Sequence, residues 1–589
     1  VHRANIVIKS KQVRARLVPD EALPKAWPAA LRRVLSARGI QQPSQLQLDL
    51  AGLLRPDQLG GVQHAAQRLA DVVEQQGRVL VVGDFDADGA TATALCLRAL
   101  RAMGLASVDY CVPNRFLQGY GLSPALVDAY AGPAPDLLLT VDNGISSHAG
   151  VAAAKAKGWP VIITDHHLPG ETLPDAEAIV NPCLHGSRFP SKALAGVGVV
   201  FYLLAALRQE LQSRGWFAGG RTAPRLADWL DLVALGTVAD LVPLDDNNRI
   251  LVKQGLERIR QGKCAPGLLA LIDVAGRSPG FLTAADLGFA VAPRLNAAGR
   301  LEDMGVGIEC LTTDDSVRAA ELASALDQLN QQRRRLQEDM QEEALKDLAE
   351  LQEQLQRRKS LPSALCLYRE DWHQGVVGLV ASRIKERLHR PVFAFAREQQ
   401  GSATLKGSGR SVSGVHLRDL LAAVDTQHPG LIERFGGHAM AAGLSLAESS
   451  LPAFERALDE IASQHIDAEH LQRIVVTDGA LAADELELDF ALQLESILPW
   501  GQGCPEPLFD NTFEVLDRQW LKNKHLKLWL SVGQQQVEAI AFDVAEYARW
   551  VEGQNRLRLL YLPTINRFRG RQRLQLRITH LLAPDSAES

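Results

Sequence analysis

Residues 78–89 read RVLVVGDFDADG, an apolar run followed at once by three carboxylates, Asp84, Asp86 and Asp88, within five positions. A run that is apolar position after position has no solvent face, so it belongs inside a parallel sheet covered on both sides. Its end then delivers three like charges to the border of a dry interior, where each is poorly solvated and repels the others. A chain can keep that arrangement only if opposing charge is brought to it, and a bound divalent cation is the usual source. One short stretch therefore argues for an architecture and for a site.

The spacing D-x-D-x-D-G also matches the first half of an EF-hand calcium loop. The twelfth loop position, counted from Asp84, is Leu95 rather than a bidentate glutamate, and the flank is a strand rather than a helix, so that reading is excluded. The following segments repeat the first pattern instead. DLLLTVDNG ends in Asp142 and PVIITDHH ends in Asp165, His166 and His167, with the helical SSHAGVAAAKAKG between them. The alternation predicts an α/β fold with a parallel sheet. Such sheets gather ligands at the carboxyl ends of their strands, so these acidic groups and histidines would converge on one crevice. WLDLVALGTVADLVPL adds Asp240, after a helical apolar pattern and a Gly-Thr turn. Taken alone, Asp240 would be a helix cap; beside the other clusters it becomes a candidate ligand.

Mixed carboxylate and imidazole donors suit Mn2+ or Mg2+. Two such ions would activate a water, clamp a phosphate and neutralise a leaving oxygen. The chain has no G-x-S-x-G motif and no G-x-x-x-x-G-K-[ST] loop, so neither a serine nucleophile of that type nor a nucleotide cofactor is expected.

At 589 residues the chain is too long for one core, and several domains are expected. Residues 1–75 read as a helical extension and 76–313 as the acidic α/β domain. Within the latter, FLTAADLGFAVAPRLNAAGRLED reads as a Gly/Pro-marked loop region. Residues 314–360, without Pro or Gly, read as one connecting helix of roughly 65 Å, in preference to an intermolecular coiled coil. A second, smaller α/β domain spans 361–468, and 469–589 switches to period-two alternation, as in KHLKLWLSV and RQRLQLRITH. The last segment is expected to be a small β-barrel of the OB type. No apolar run is long enough to cross a membrane, the N-terminal stretch lacks a secretory h-region, and seven scattered cysteines suit reduced thiols, so a cytoplasmic location is expected. The net charge of −6 is a weak argument against nucleic acid, because KSKQVRAR and INRFRGRQRLQLRITH are local basic stripes. Either stripe could instead be a solvated face.

DFDADG, VDNG, TDHH and GTVAD, in this order, resemble the DHH phosphoesterase superfamily. The blocks VPNRFLQGYGLS, APRLNAAGRL, WHQGVVGLVASRIKERLHRP, LKGSGRS and FGGHAMAAGLS resemble its bacterial branch of exonucleases acting on single-stranded DNA, from about residue 20 to 580. The resemblance implies a DHH domain followed by a DHHA1 domain lying across a cleft. It implies 5′→3′ hydrolysis of single-stranded DNA to mononucleotides in repair and recombination, with two divalent cations, Mn2+ or Mg2+. Asp86, Asp88, Asp142, His166 and Asp240 are then the metal ligands, with Asp84 joining or supporting them and Asp142 bridging both ions. Asp165 would orient a neighbouring imidazole, and His167 would face the scissile phosphate. GSGRS offers backbone N–H groups, the Ser408 hydroxyl and the Arg410 guanidinium to a terminal phosphate. Arg115 and Arg300 could reach other phosphates, and His438 sits where a substrate backbone could approach; a surface salt bridge, or for His438 a buried structural role, is the alternative. On the barrel, Arg567, Arg569, Arg571 and Arg573 are candidate DNA contacts, with Leu574 and Leu576 turned inward. Trp520 and Trp529 could stack on bases, although a core role is the simpler reading. The implied protein is a monomer whose substrate is a strand with a 5′ end, associated with the nucleoid when acting. A single-strand-binding protein and a RecQ-like helicase are partners by resemblance only. Two other readings remain at this point: a phosphodiesterase or pyrophosphatase for small substrates, which needs neither barrel nor connecting helix, and a catalytically dead DNA-binding scaffold, which the intact acidic set disfavours.

Overall fold

The computed structural model describes residues 12–16, 22–114, 118–356, 362–399, 401–467, 470–471, 474–545 and 548–582. Its first strand, β1 (Gln12–Ala15), comes from the basic stripe KSKQVRAR and pairs with a strand much later in the chain. The apolar runs form a five-stranded, all-parallel sheet of β2 (Arg78–Val82), β3 (Ser107–Cys111), β4 (Leu137–Val141), β5 (Val161–Thr164) and β6 (Ala178–Val180). Their order is β3-β2-β4-β5-β6, so the chain turns from one direction across the sheet to the other between β2 and β4. That reversal opens a crevice at the carboxyl ends of β2 and β4, the place where doubly wound sheets bind ligands. β4 and β5 are buried at every position, as runs without a polar face require.

Helices Ala87–Ala102, Gly196–Ser213 and Leu230–Ala239 pack together beside this sheet, and Asp240 caps the last of them. Gly236 and Thr237, read as a turn, lie inside that helix. The region 281–303, read as loop, is also largely helical: Ala284–Asp286, a π-helical turn Leu287–Val291, then Ala292–Leu301. Pro293 does not break it, because it falls in the first turn, where no intrahelical N–H is missed.

Helix Ser316–Gln356 has 41 residues. Beyond it lies a second sheet of β7 (Leu365–Tyr368), β8 (Val392–Arg397), β9 (Thr404–Arg410), β10 (Arg434–Gly437) and β11 (Ala441–Ala447), in the order β10-β11-β9-β8-β7. Next, β12 (Ile474–Thr477) pairs in parallel with β1, Gln12 opposite Ile474. The last five strands, β13 (Phe509–Leu521), β14 (His525–Val532), β15 (Gln535–Ala541), β16 (Arg556–Phe568) and β17 (Arg571–Leu582), close a barrel in the order β13-β14-β15-β17-β16. The alternating segments of the sequence are these strands, and Leu576 and Ile578 fill the barrel while Leu574 is half-buried.

The chain divides into two compact units, residues 16–333 with 478–589, and residues 334–477 with β1. In the first, one continuous apolar core runs from Leu31 and Val34 through the parallel sheet to the barrel. Where the chain re-enters this unit, Asp478 is buried against Arg38, which holds both carboxylate oxygens, Nη2 to Oδ2 at 2.9 Å. The Leu508 amide donates a further hydrogen bond to Asp478 Oδ2.

Candidate metal centre

Five turns of the first unit build the site. Asp84 follows β2, and Asp86 caps helix Ala87–Ala102 by accepting the Gly89 amide at 3.0 Å. Asp88, in the first turn of that helix, is buried and accepts two amides from the start of helix Gly196–Ser213: Gly196 at 2.6 Å and Val197 at 2.9 Å. The positive end of one helix thus holds a carboxylate from another.

Asp142 follows β4 with a left-handed backbone, φ 64°, a conformation rare in residues other than glycine and tolerated by aspartate. The turn is locked by its neighbours. Asn143 donates to the carbonyls of Val82 and Val141 and accepts the Leu122 amide, and the Tyr120 hydroxyl donates to the Asp142 carbonyl at 3.2 Å. Gly196 approaches so closely that a Cβ there would lie 2.4 Å from Asp142 Oδ1.

After β5, Asp165 accepts the amides of Ile145, His166 and His167 and binds His167 Nδ1 at 2.7 Å. Asp165 therefore orients His167, and the His166 ring is left to the carboxylates. His166 Nε2 lies 3.1 Å from Asp142 Oδ1 and 3.5 Å from Asp240 Oδ2. Among the described residues, three sets each bring their potential ligand atoms within 4.8 Å of one another: Asp84, Asp86 and Asp142; Asp88, His166 and Asp240; and Asp142, His166 and His167. All belong to this one crevice, and Asp142 stands between the first two.

The electrostatics fit a cation. Burial, then the neighbouring carboxylates Asp88, Asp86 and Asp240, push Asp142 well above the carboxylate range. Burial with Asp88 and Asp86 raises Asp240 to about 8, and burial with Asp86 raises Asp88 to about 7 against the pull of its two amides. Burial and the His167 charge lower His166 to about 4, leaving a neutral imidazole as a metal requires. Burial would lower His167 too, but the Asp165 hydrogen bond and charge outweigh it and hold His167 at about 9, cationic at neutral pH. Asp142 Oδ1 and His166 Nε2 are buried and make no hydrogen bond with the described residues. A pair of unsatisfied buried acceptors facing each other is what a divalent ion relieves.

The segment APRLNAAGRL contributes more than Arg300, which lies exposed on helix Ala292–Leu301. Asn296 Oδ1 accepts the Ala87 amide at 2.8 Å, inside the DFDADG loop. Gly299 lets the Phe85 carbonyl reach the helix, and a Cβ at residue 299 would sit 1.8 Å from that oxygen. Both support the aspartates and neither carries charge, so only the small-residue pattern NAAG hinted at them. Tyr120 and Gly196, likewise uncharged, carry no local sequence signal of their part in the site.

The remaining candidates lie elsewhere. Arg115 falls outside the described residues. In the second unit, GSGRS is not a phosphate-cradling turn but strand β9 between β8 and β11, so its backbone amides belong to the sheet ladders. Its glycines make room for Phe395 and Phe393, whose rings a Cβ at Gly407 or Gly409 would meet at 2.5 and 2.4 Å. Arg410 Nη1 donates to Ser408 Oγ at 3.0 Å, so these two side chains do share one face, and burial lowers the Arg410 pKa. His438 is exposed. On the barrel, Arg567 is taken up by Glu495 through both Nη atoms, while Arg569, Arg571 and Arg573 are exposed. Trp520 packs against the core and Trp529 lies under Lys527 Nζ at 4.7 Å.

Comparison with known proteins gives three matches in chain order: the DHH family, N-terminal domain, over residues 78–237; the DHHA1 domain over 361–464; and the RecJ OB domain over 477–580. The chain is 52% identical to the single-stranded-DNA-specific exonuclease RecJ of Dickeya dadantii (strain 3937), over 97% of this chain and 99% of that protein. It resembles the crystal structure of RecJ in complex with Mn2+ from Thermus thermophilus with a TM-score of 0.76 at 31% identity, covering 98% of this chain and 80% of that one. The corresponding Mg2+ complex gives a TM-score of 0.70 at 29% identity, covering 98% and 79%.

Proposed function

The chain belongs to the RecJ family of single-stranded-DNA-specific exonucleases, and on that premise we propose that it releases mononucleotides from the 5′ end of single-stranded DNA with two divalent cations, Mn2+ or Mg2+. The observation that carries the reading is the pair of adjoining donor groups, Asp84/Asp86/Asp142 and Asp88/His166/Asp240, with His166 Nε2 3.1 Å from Asp142 Oδ1. Those six residues are the proposed holders of the ions. When bound, such ions supply Lewis-acid activation of water and neutralisation of phosphate charge.

The chain's own residues do the rest. Asp88, pinned by the Gly196 and Val197 amides, and Asp142, pinned by its locked turn, hold their carboxylates in place before any ligand arrives. That pre-organisation lowers the cost of ordering the site. His167, cationic and held through Nδ1 by Asp165, has Nε2 left to donate to a phosphate oxygen as charge builds on it. Ser408 and Arg410 supply a hydroxyl and a guanidinium of the kind that takes a substrate phosphate, with Arg115, Arg300 and His438 as further contacts. The proposed boundaries are 76–313 for catalysis, 314–360 for the connecting helix, 361–468 for the second α/β part and 469–589 for the barrel, following an extension, 1–75, whose described part is helical apart from strand β1. A single-strand-binding protein and a RecQ-like helicase would deliver the strand to a monomeric enzyme acting in the cytoplasm at the nucleoid. No described helix is long and apolar enough to cross a membrane.

The test is digestion of 5′- and 3′-labelled single strands with Mn2+, Mg2+ or a chelator. Labelled mononucleotide appearing first from the 5′-labelled strand, only with metal, supports the reading. Release from the 3′ end first, or in chelator, refutes it.

A further inference from the structure

The chain runs DDNNR over 245–249 as it enters helix Asp246–Arg260, and three of these polar side chains, Asn247, Asn248 and Arg249, are buried. A polar group taken out of water is kept only where its hydrogen bonds are made inside the protein. Arg249 pairs with Asp246, and Asn247 accepts from the Tyr202 hydroxyl and the Leu54 amide. Asn248 reaches further. It is fully buried, and its Nδ2 donates twice, to the Ala193 carbonyl at 2.6 Å and to the Pro243 carbonyl at 2.9 Å. Its Oδ1 meets no donor among the described residues, so the side chain is kept for its N–H groups. Beside it Asp245 caps the helix by accepting the Asn248 amide at 2.9 Å, while its other oxygen accepts the Ser191 hydroxyl at 2.6 Å.

Both carbonyls lead to the metal centre. Ser191 and Ala193 belong to the loop that enters helix Gly196–Ser213, whose Gly196 and Val197 amides hold Asp88. Between them, the Leu194 carbonyl lies against the His166 ring. Pro243 follows Asp240 by three positions. The next residue is fixed in turn: the Leu244 amide donates to the Gln502 carbonyl at 2.7 Å, and a Cβ at Gly501 would lie 2.8 Å from Leu244 Cδ1. One buried amide group thus ties the chain just after Asp240 to the loop that serves Asp88 and His166. Those three ligands form one of the two adjoining donor sets. The other, Asp84, Asp86 and Asp142, stands on the turns after β2 and β4, which neither Asn248 bond reaches.

We propose that Asn248, supported by Asp245 and Ser191, is a positioning residue for the metal centre: it holds Asp88, His166 and Asp240 in register as one ion's ligands while touching neither ion nor substrate. The inference rests on the two-ion reading above and assigns the assembly of one ion's site to a residue outside it. Two carbonyl oxygens require two N–H donors from one neutral group, which asparagine supplies and leucine, of similar size, does not. The effect is therefore selective, because only one donor set leans on Asn248.

The experiment is titration of the full chain with Mn2+, reading the free ion by electron paramagnetic resonance, so that no turnover enters, with thermal melts in chelator to report the folding of each variant. The wild-type protein is expected to bind two Mn2+. In Asn248→Leu, one of the two is expected to weaken by at least about ten-fold, the scale on which groups supporting metal ligands act, while the other keeps its affinity. Ser191→Ala, which removes only the hydroxyl on Asp245, is expected to weaken the same ion by less, and it decides alone if Asn248→Leu fails to fold. Unchanged affinity for both ions, or both weakened equally as general loosening would do, overturns the positioning role and leaves the two-ion reading standing. A wild-type protein that takes up fewer than two Mn2+ overturns both.

Discussion

His166 Nε2 and Asp142 Oδ1 face each other at 3.1 Å, both buried, and neither makes a hydrogen bond with the described residues. The two atoms come from the ends of adjacent strands, β5 and β4, so the sheet itself fixes their separation. A carboxylate oxygen and a neutral imidazole nitrogen both offer lone pairs, so together they need a proton or a metal cation between them, and the raised Asp142 pKa is the metal-free form of that need. Asp142→Ala is expected to reduce nucleotide release by about three orders of magnitude, the scale of several kcal/mol of lost charge stabilisation. Binding of single-stranded DNA at low salt persists in that variant. Wild-type release rates with Mn2+ would remove Asp142 from the metal centre.

Gly196→Ala introduces a Cβ at 2.4 Å from Asp142 Oδ1 and disturbs the amide that holds Asp88. The expected outcome is a folded protein whose Mn2+ affinity falls at least about ten-fold, the scale on which groups supporting metal ligands act. Electron paramagnetic resonance of free Mn2+ measures this without any turnover.

Asn296→Ala should act from further away. It removes the acceptor of the Ala87 amide and so loosens the DFDADG loop without touching a ligand. Mn2+ affinity is expected to drop by about 10-fold, with Asn296→Asp, which keeps an acceptor in place, recovering most of it. Equal affinity in all three proteins, by the same resonance measurement, would count against this support.

The acidic cluster also sets a pH dependence. Asp240 and Asp88 are raised from 3.8 to about 8 and about 7. A carboxyl raised on folding contributes stability that is complete below its unfolded value and is lost as pH rises through the folded one. The metal-free protein should therefore melt at progressively lower temperature as pH climbs from about 5 to about 8.5, and the gain from added Mn2+ should grow over the same window. Thermal melts with chelator and with Mn2+ across that range test both trends; a Mn2+ gain that shrinks as pH rises would contradict them.

Arg38→Met leaves the Asp478 carboxylate buried with the Leu508 amide as its donor, and such a broken pair typically costs about 3–5 kcal/mol. Replacing Asp478 by leucine as well should recover part of the loss, because no charge is then stranded. Urea unfolding of the single and double variants gives the comparison.

How much of this was legible beforehand follows from what kind of force is involved. The runs before Asp84, Asp142 and Asp165 had to be interior parallel strands because no position offers a polar face, so their ends had to share one edge. The barrel strands were legible from period-two alternation for the same reason. The segment 281–303 was misread because Pro293 and Gly299 count as breakers out of context; inside the fold, one sits in a first turn and the other admits the Phe85 carbonyl. GSGRS misled likewise, since its glycines yield to two phenylalanine rings from a strand that sequence alone does not align with it. Nor could local pattern reveal which arginine of 567–573 had met Glu495, because that partner lies 72 positions away.

The pairing of β1 with β12 bears on how the chain is made. Gln12 waits for Ile474, and Arg38 waits for Asp478 across 440 positions, while a ribosome adds about 5–20 residues each second. For about 20–90 s, strand β1 is an open edge and the Arg38 guanidinium lacks its carboxylate. Nascent chains of this protein should thus be lasting clients for a holding chaperone until the segment before the barrel emerges. Moving residues 12–40 to follow the barrel, by circular permutation, would exchange the end of the chain at which that vulnerable interval begins.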